Sequence, residues 1–384
     1  MTLENAIEIG IKNNLSLQTQ LRNIGISNAE LIQAGFYSNP RLETIFKKPT
    51  KDKSLHTNIE VDLSFVLSDL WQVPLRKKIA QYDLEAKTYE IINHILNLRQ
   101  QIQSVYISCV YHQEYLQLVK EITATINNLK KRIEYRYQFG YATKLDIYFT
   151  QGKLGEWKTK VLQATCDLKK AYIDLRQTLG GNIVVTPLKL CQTLEAPLIN
   201  STLQDLTTFS LASHPLILLQ EATINSAQKN ISYERSKIFD NVNIGVSYEQ
   251  DFEKKATGVG PLVSFDIPLF NANYGNIEKA KFVYKKAKKA LENQKQMLTK
   301  QITTSYIHYS CHLEQIEHYK KSVMPSIRKA LVFSKEYFDR MQMPLIVFLE
   351  TQIELHMHKI QLLDLAYKAA LAYAQLELAI GTKL

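Results

Sequence analysis

The sequence predicts a mainly α-helical chain with a membrane β-barrel part, built from a duplicated module. Its long antiparallel helices would form an α-barrel, and its four strands would join those of two further copies in a trimeric 12-stranded β-barrel. Three observations carry this expectation. The chain is written twice: Thr2-Leu3 recurs as Thr202-Leu203 and Ser64-Phe65 as Ser264-Phe265, both 200 residues on, while Thr150-Gln151 recurs as Thr351-Gln352 and Gly180 as Gly381, 201 on. Each copy contains one very long helical pattern, and each contains two segments of strict period-two alternation. A period this long is no solenoid unit, so residues 1–200 and 201–384 read as two copies of one large helix-and-strand module.

Each copy opens on helices. Leu3, Ala6, Ile7, Ile11, Leu15, Leu17, Leu21 and Ile24 recur at helical spacing, with Thr2 and Asn5 resembling an N-cap that lacks the Glu/Gln of a full capping box. The second copy runs Thr202-Leu203 into His214-Pro215 and on through Ile231. The helices stop at Ser38-Asn39-Pro40 and at Asp240-Asn241. Strands are then expected at about 41–47 and 57–67 in the first copy, and at about 241–249 and 259–269 in the second. In the first pair, Ile59, Val61, Leu63, Phe65 and Leu67 alternate with Asn58, Glu60, Asp62 and Ser64. In the second, Val259, Val263, Phe265, Ile267 and Leu269 alternate with Gly260, Ser264 and Asp266. An antiparallel sheet over a soluble core would also alternate, but here the polar face holds Glu60 and Asp62 within three residues. Apolar-out, polar-in strands are the signature of a membrane barrel, with Asn58, Glu60, Asp62, Ser64, Ser264 and Asp266 facing the lumen.

A long helix follows each strand pair. Arg76 to about Gln138 contains neither Pro nor Gly, and 63 residues at about 1.5 Å each would reach roughly 95 Å. The counterpart, about 277–341, contains Pro325, which predicts a kink or hinge. Tight reversals at about 139–144 and 341–345 lead into shorter helices at about 144–179 and 345–380, making two αα-hairpins. A Pro-containing linker, 181–201, joins the copies.

Composition narrows the class. Hydrophobic residues make up 45%, and no apolar run approaches the ~20 residues of a spanning helix. The 21 tyrosines suit wet helix interfaces or an aromatic girdle at lipid headgroups. The net charge of +10 comes from Lys and Arg mixed with acids along helices, which reads as solvated helix faces and not as a nucleic-acid patch. Cys109, Cys166, Cys191 and Cys311 show no CxxC spacing and read as free thiols, mostly packed as small apolar groups. The chain opens on MTLENAIEIG without the features of a signal peptide, which taken literally predicts a cytosolic protein; a mature, truncated or mis-started sequence is the alternative. No nucleophile constellation and no cofactor motif stand out, so no enzyme and no cofactor are expected.

Four strands cannot close a barrel, because even the smallest take about eight, and an open edge cannot sit in lipid. Closure therefore implies several chains sharing one barrel; three copies supply 3 × 4 = 12 strands, inside the known range, and a homotrimer in outer membrane lipid is expected. A cytosolic helical scaffold would explain the missing signal peptide, but not four alternating strands placed alike in both copies.

The residues also carry a family resemblance. The chain is similar to the TolC-type outer-membrane efflux proteins, the outer-membrane factors of tripartite pumps. The matching residues are Thr2-Leu3-Glu4-x-Ala6 with Asn13-Asn14, Asn39-Pro40-Arg41-Leu42, Thr202-Leu203 with His214-Pro215, and Phe265-Asp266-Ile267-Pro268-Leu269-Phe270-Asn271 followed by Asn273-x-Gly275-x-Ile277-x-x-Ala280. Gly140-x-x-Thr143-x-x-Asp146 and Leu378-Ala379-Ile380-Gly381 match too. The compact length resembles the heavy-metal-resistance branch more than the multidrug branch. The resemblance implies a passive conduit through the outer membrane and across the periplasm, carrying small molecules or metal ions, or alternatively secreted proteins. Its partners would be a periplasmic adaptor (membrane fusion protein) and an inner-membrane transporter of RND type. Pro268, Asn271 and Gly275 would form the strand-to-helix turn.

Function should concentrate at the hairpin tips: Gly140, Thr143 and Asp146 in one, Met341, Met343, Pro344 and Val347 in the other. Asp146 either gates cations from the lumen or is a first-turn carboxylate favoured by the helix dipole. Its counterpart is Val347 (347 − 146 = 201), flanked by Ile346 and Phe348, so an acidic ring would come from one hairpin only and an apolar constriction is conceivable. Met341 and Met343 would suit a soft monovalent ion or, more simply, adaptable packing at a docking surface. His308 and His312, four apart around Cys311, could hold zinc; helix-surface histidines and a buried Cys are the plainer reading, and no metal is expected. His356 and His358, two apart, do not share a helix face.

Overall fold

The computed structural model describes residues 1–48, 58–181, 194, 197, 199, 201–252 and 255–382. The element order runs twice. The first half gives α1 (Leu3–Asn13), α2 (Leu15–Ala34), β1 (Arg41–Lys47), β2 (Asn58–Val66), α3 (Asp69–Gln138) and α4 (Lys144–Thr178). The second gives α5 (Leu203–Ser213), α6 (Pro215–Ser236), β3 (Asn243–Asp251), β4 (Ala256–Ser264), α7 (Tyr274–His318), α8 (Met324–Asp339) and α9 (Leu345–Ile380).

Several expected boundaries move. α3 begins at Asp69, not Arg76, and takes Pro74 inside it. Ser68-Asp69 supplies the polar start, and Pro74 falls near the helix beginning, where few intrahelical bonds are lost. β3 lies at 243–251 and β4 at 256–264, against the expected 241–249 and 259–269. Gly258, Gly260 and Pro261 weakened the strand signal early in β4, whereas the alternation of Phe265, Ile267 and Leu269 extends past the ladder's end at Ser264. Thr57, the linker's Cys191 and most of 181–201 lie outside the described residues. Pro325 sits where a hinge was expected: α7 passes into a π-helical turn, Tyr319–Val323, and α8 restarts with the proline in its first turn, where a missing N–H costs little.

The chain divides into two compact units, each drawn from both halves. The first comprises residues 1–18, 93–214 and 297–384, and is wholly helical among its described residues. Its core is apolar at helical spacing: Val119, Ile122, Ile126 and Ile133 of α3 cluster with Leu154 and Trp157 of α4 and Leu349 and Ile360 of α9, and Ile102, Tyr106, Leu175 and Leu376 are fully buried as well. Small residues let backbones close in. A Cβ on Gly10 would lie 2.4 Å from Ile102 Cδ1, and Ala369, Ala372, Ala374 and Ala379 are all buried. Buried Glu377 is compensated by Gln103, whose Nε2 donates at 3.1 Å, and by Arg99 at 3.5 Å.

Two histidines are sealed in this unit. His214 sits 3.4 Å from the Leu378 carbonyl, and His356 is buried with Nδ1 unpartnered among the described residues. Burial pushes both imidazoles below their ordinary 6.5; for His356, Lys359 lowers it further and Glu121 opposes. Because the folded values lie below the unfolded one, the unfolded chain takes up protons first. The stability contributed by these neutral rings is fully present above pH 6.5 and is lost as pH falls through the folded values. His356→Leu should therefore reduce the drop in melting temperature between about pH 7.5 and about pH 5. Thermal melts followed by circular dichroism check this; an undiminished drop would refute it.

The second unit comprises residues 19–92 and 215–296 and carries the sheet, in the order β1-β2-β3-β4, antiparallel throughout. The β2/β3 ladder joins the two repeats, with Asp62 opposite Ser247 and Ser64 opposite Gly245.

Candidate functional site

The registers sort every strand residue onto one of two faces. Glu43, Asp62, Ser247 and Gly260 lie level with one another on one face, as do Ile45, Glu60, Glu249 and Gly258. Arg41, Lys47, Asn58, Ser64, Asn243, Gly245 and Ser264 lie on the same face, with Val66, Asp251, Ala256 and Leu262. The other holds Leu42, Thr44 and Phe46, then Ile59, Val61, Leu63 and Phe65, then Ile244, Val246 and Tyr248, then Val259, Pro261 and Val263. Exposure is inverted relative to a sheet over a soluble core. Val246, Leu63, Val259 and Val263 are exposed, while Asn58, Glu60, Asp62 and Ser64 are half-buried. Val259 is 72% exposed. A single apolar surface of this breadth is not stable in water and marks a face meant for lipid or another apolar phase. On the polar face Lys47 Nζ pairs with Glu60 at 2.6 Å. Asn58, Glu60, Asp62, Ser64 and Ser264 thus share one face. Asp266 does not join them: it lies beyond the end of β4, where its carboxylate accepts from Asn241 Nδ2 at 2.6 Å.

The antiparallel order brings the start of β1, the end of β2, the start of β3 and the end of β4 to one end of the sheet, where the helices attach. Polar clamps hold this junction. The Ser38 amide donates to Asp69 Oδ2 at 2.5 Å, Gln72 Nε2 donates to Asp240 at 2.9 Å, and Arg76 donates to the carbonyls of Ala34 and Phe36 at 3.1 and 2.7 Å. Ser68, Asp69 and Gln72 are buried. Sequence reasoning passed over them, although the Ser-Asp pair ahead of an apolar helix is a legible start signal. Between β4 and α7, Pro268 and Asn271 occupy the connection as expected, and Asn271 Oδ1 accepts from the Asn273 amide at 3.0 Å. Gly275 lies one residue inside α7. The residue that turns the chain is Asn273, at φ +59°, with its side-chain Nδ2 donating to the Glu234 carbonyl and carboxylate at 2.8 and 2.9 Å. Around this end Phe36, Tyr37, Trp71, Phe239, Phe265 and Phe270 are all exposed, the composition of an interfacial aromatic belt.

The tips belong to the helical unit, and they depart from one another residue by residue. α3 ends in a Schellman motif: the Tyr141 amide reaches the Arg136 carbonyl at 2.9 Å and the Gly140 amide the Tyr137 carbonyl at 3.0 Å. α8 ends in the same motif 201 residues on, Gln342 to Tyr337 at 2.9 Å and Met341 to Phe338 at 3.1 Å. Gly140 takes φ +76° without strain, but Met341 is forced to φ +61°. Met341→Gly should raise the local stability of this tip by roughly 1 kcal/mol, seen as slower amide exchange over 337–342; unchanged exchange would refute the strain. α4 then starts with a complete capping box. Thr143 Oγ1 accepts from the Asp146 amide at 3.2 Å, and Asp146 Oδ2 accepts from the Thr143 amide at 2.8 Å. α9 has Pro344 and Val347 at the equivalent positions and no side-chain cap. Val347 is exposed, whereas Phe348 is buried and stacked on Phe338 at 4.2 Å between ring centres. Met341 is exposed, while Met343 packs on the core that contains Phe348.

The remaining candidates disperse. His308 and Cys311 are exposed, and His312 Nδ1 lies 3.4 Å from Gln315. The buried-Cys reading is therefore corrected at Cys311, which lies on a solvated face of α7, and at Cys166; of the three described cysteines only Cys109 is buried. Its thiol contacts the Ala171 carbonyl at 3.1 Å, and burial pushes its pKa up to about 12. His356 and His358 have different surroundings, the latter bridging Tyr319 and Glu354 at 2.6 and 3.2 Å. No grouping of three or more metal-ligating side chains occurs among the described residues, and no described helix is long and apolar enough to cross a membrane.

A duplicated helical chain bearing a four-stranded antiparallel sheet is also the architecture of solved outer-membrane channels. Residues 208–382 match the family model of the outer membrane efflux proteins. The chain is similar to the cobalt-zinc-cadmium resistance protein CzcC of Cupriavidus metallidurans, with 20% identity over 86% of this chain and 78% of the relative. Its fold is that of the solved CusC, with a TM-score of 0.82 at 16% identity over 99% of this chain and 92% of CusC. It also matches the open-state MtrE outer membrane channel of Neisseria gonorrhoeae, with a TM-score of 0.78 at 15% identity over 99% of this chain and 89% of MtrE.

Proposed function

We propose that this chain is the outer-membrane channel subunit of a tripartite efflux system, and that three copies close a 12-stranded barrel. The observation that carries this is the inverted sheet: Leu63, Val246, Val259 and Val263 exposed, Asn58, Glu60, Asp62 and Ser64 half-buried, and both edges, β1 and β4, unpaired among the described residues. Edges with free N–H and C=O groups are untenable in lipid, and adding copies edge to edge until the sheet closes removes them. β1 and β4 run antiparallel to each other, so β4 of one copy can pair with β1 of the next. The polar face then lines a passive conduit, and the helical hairpin tips, with Gly140, Thr143, Asp146, Met343 and Val347, meet a periplasmic adaptor and, through it, an RND-type transporter. The likeness to a cobalt-zinc-cadmium resistance protein supports metal ions as cargo. The test is extraction from outer membranes and reconstitution in planar bilayers. A heat-resistant trimer with steady conductance is expected; a soluble monomer would contradict the proposal.

A further inference from the structure

The first hairpin tip differs from the second in charge, and that difference frames a site. An open cleft of about 590 Å³ lies at the end of α3, lined by Lys131, Arg132, Tyr135, Arg136, Phe139 and Tyr141, with Asp339 and Met341 on its far wall. Lys131 and Arg132 are exposed and make no ion pair among the described residues. Arg136 is held in place: its guanidinium lies 4.0 Å from the centre of the Phe338 ring, and Nη2 donates to the Phe338 carbonyl at 3.4 Å. Tyr135 and Phe139 form a shelf with ring centres 4.9 Å apart. Three cations against one carboxylate, Asp339, leave the cleft at +2, since the neighbouring Arg340 is already paired with Glu336 at 2.6 Å. None of this recurs in the other hairpin, where the counterparts of Lys131, Arg132 and Arg136 are Val332, Phe333 and Tyr337 (each 201 residues on).

We propose that this cleft docks an acidic segment of the channel's periplasmic protein partner. Carboxylates go to Lys131 and Arg132, and the segment's apolar side goes to the Tyr135–Phe139 shelf. Exposed cations beside exposed aromatic rings, in excess of the single carboxylate Asp339, are complementary to an acidic amphipathic surface, and such complementarity governs the on-rate and the choice of partner. The inference rests on the channel reading above and adds the partner's chemistry to it.

The experiment uses the full chain, reconstituted and checked for conductance, with fluorescent poly-L-glutamate as probe. Wild type should bind the probe, and binding should weaken as salt rises, because exposed charges are screened. Lys131→Glu with Arg132→Glu should weaken binding by roughly tenfold or more, with conductance retained. Arg328→Glu with Lys329→Glu, which removes two exposed cations outside the cleft, should leave binding unchanged. Equal binding by wild type and the Lys131/Arg132 variant would overturn the proposal. So would loss of the oligomer in that variant, which would make the cleft a contact between copies. Competition by phosphatidylglycerol vesicles as effective as by unlabelled polyglutamate would assign the cleft to lipid and also overturn it. A preparation that binds the probe but never conducts would overturn the channel reading instead.

Discussion

Val246→Arg should keep the protein out of the outer membrane, whereas Ser247→Arg, one residue along the same strand, should leave assembly intact. Val246 lies opposite Leu63 and Pro261 on the exposed apolar face; Ser247 lies opposite Asp62 and Gly260 on the polar face. An arginine on the lipid face of a barrel costs about 2–4 kcal/mol near the bilayer midplane, and the proposed trimer would bear that cost three times. At Ser247 the new guanidinium would meet the Asp62 carboxylate, one of whose oxygens is buried without a partner among the described residues, across from a glycine with open space beside it. Heat-resistant trimer in outer-membrane fractions is the readout. Equal loss in both variants would mean that the two faces are not distinguished by lipid.

Gly245→Ala should be nearly as damaging, for a different reason. A Cβ at this position would stand 2.1 Å from the Leu63 carbonyl oxygen and 2.8 Å from Ser64 Cα. Both atoms are backbone, so no side-chain rotation relieves the clash, and the β2/β3 ladder must open. That ladder is the seam between the strands of the two repeats. Local opening there costs about 3 kcal/mol or more by the usual range for backbone conflicts, and the hairpins β1–β2 and β3–β4 would part. Gly260→Ala on the same face is the control, because nothing lies within 4 Å of its added methyl group. Loss of assembled protein in the first and wild-type yield in the second is the expected pair. Equal yields would show that the seam tolerates a side chain.

Much of the architecture was legible because it is periodic. The alternation of Ile59, Val61, Leu63 and Phe65 with Glu60, Asp62 and Ser64 located β2 to within a residue at each end and assigned its faces, and Pro325 marked the break now seen as a π-helical turn. β4 was misplaced because period-two spacing continues through Phe265, Ile267 and Leu269, while hydrogen bonding, which alternation does not encode, stops at Ser264. The polar clamps of Asp69, Gln72, Arg76 and Asp240 were missed because their partners lie 31 to 168 residues away and no local pattern announces them. The tips were partly legible: the Gly140/Met341 and Asp146/Val347 contrasts stand in the repeat alignment. Their consequences do not, since the capping box around Thr143 and the positive φ of Met341 appear only with the backbone in view. The basic cleft was hidden for the opposite reason. Lys131 and Arg132 look like ordinary solvated helix charges until α8 brings Asp339 and Met341 across from them.

The central claim is that β4 of one copy pairs with β1 of the next until three copies close. Within one chain these strands are the two edges of the sheet, three interstrand spacings or roughly 14 Å apart, too far for a disulfide, whose Cα atoms lie within about 7 Å. In a background with Cys109, Cys166, Cys191 and Cys311 replaced by Ser, Thr44→Cys can be combined in turn with Thr257→Cys, Val259→Cys, Pro261→Cys and Val263→Cys. Oxidation in the membrane should give, for at least one pair, covalent dimer and trimer bands and nothing larger. Monomer alone for every pair, or a ladder running past three, would contradict the account.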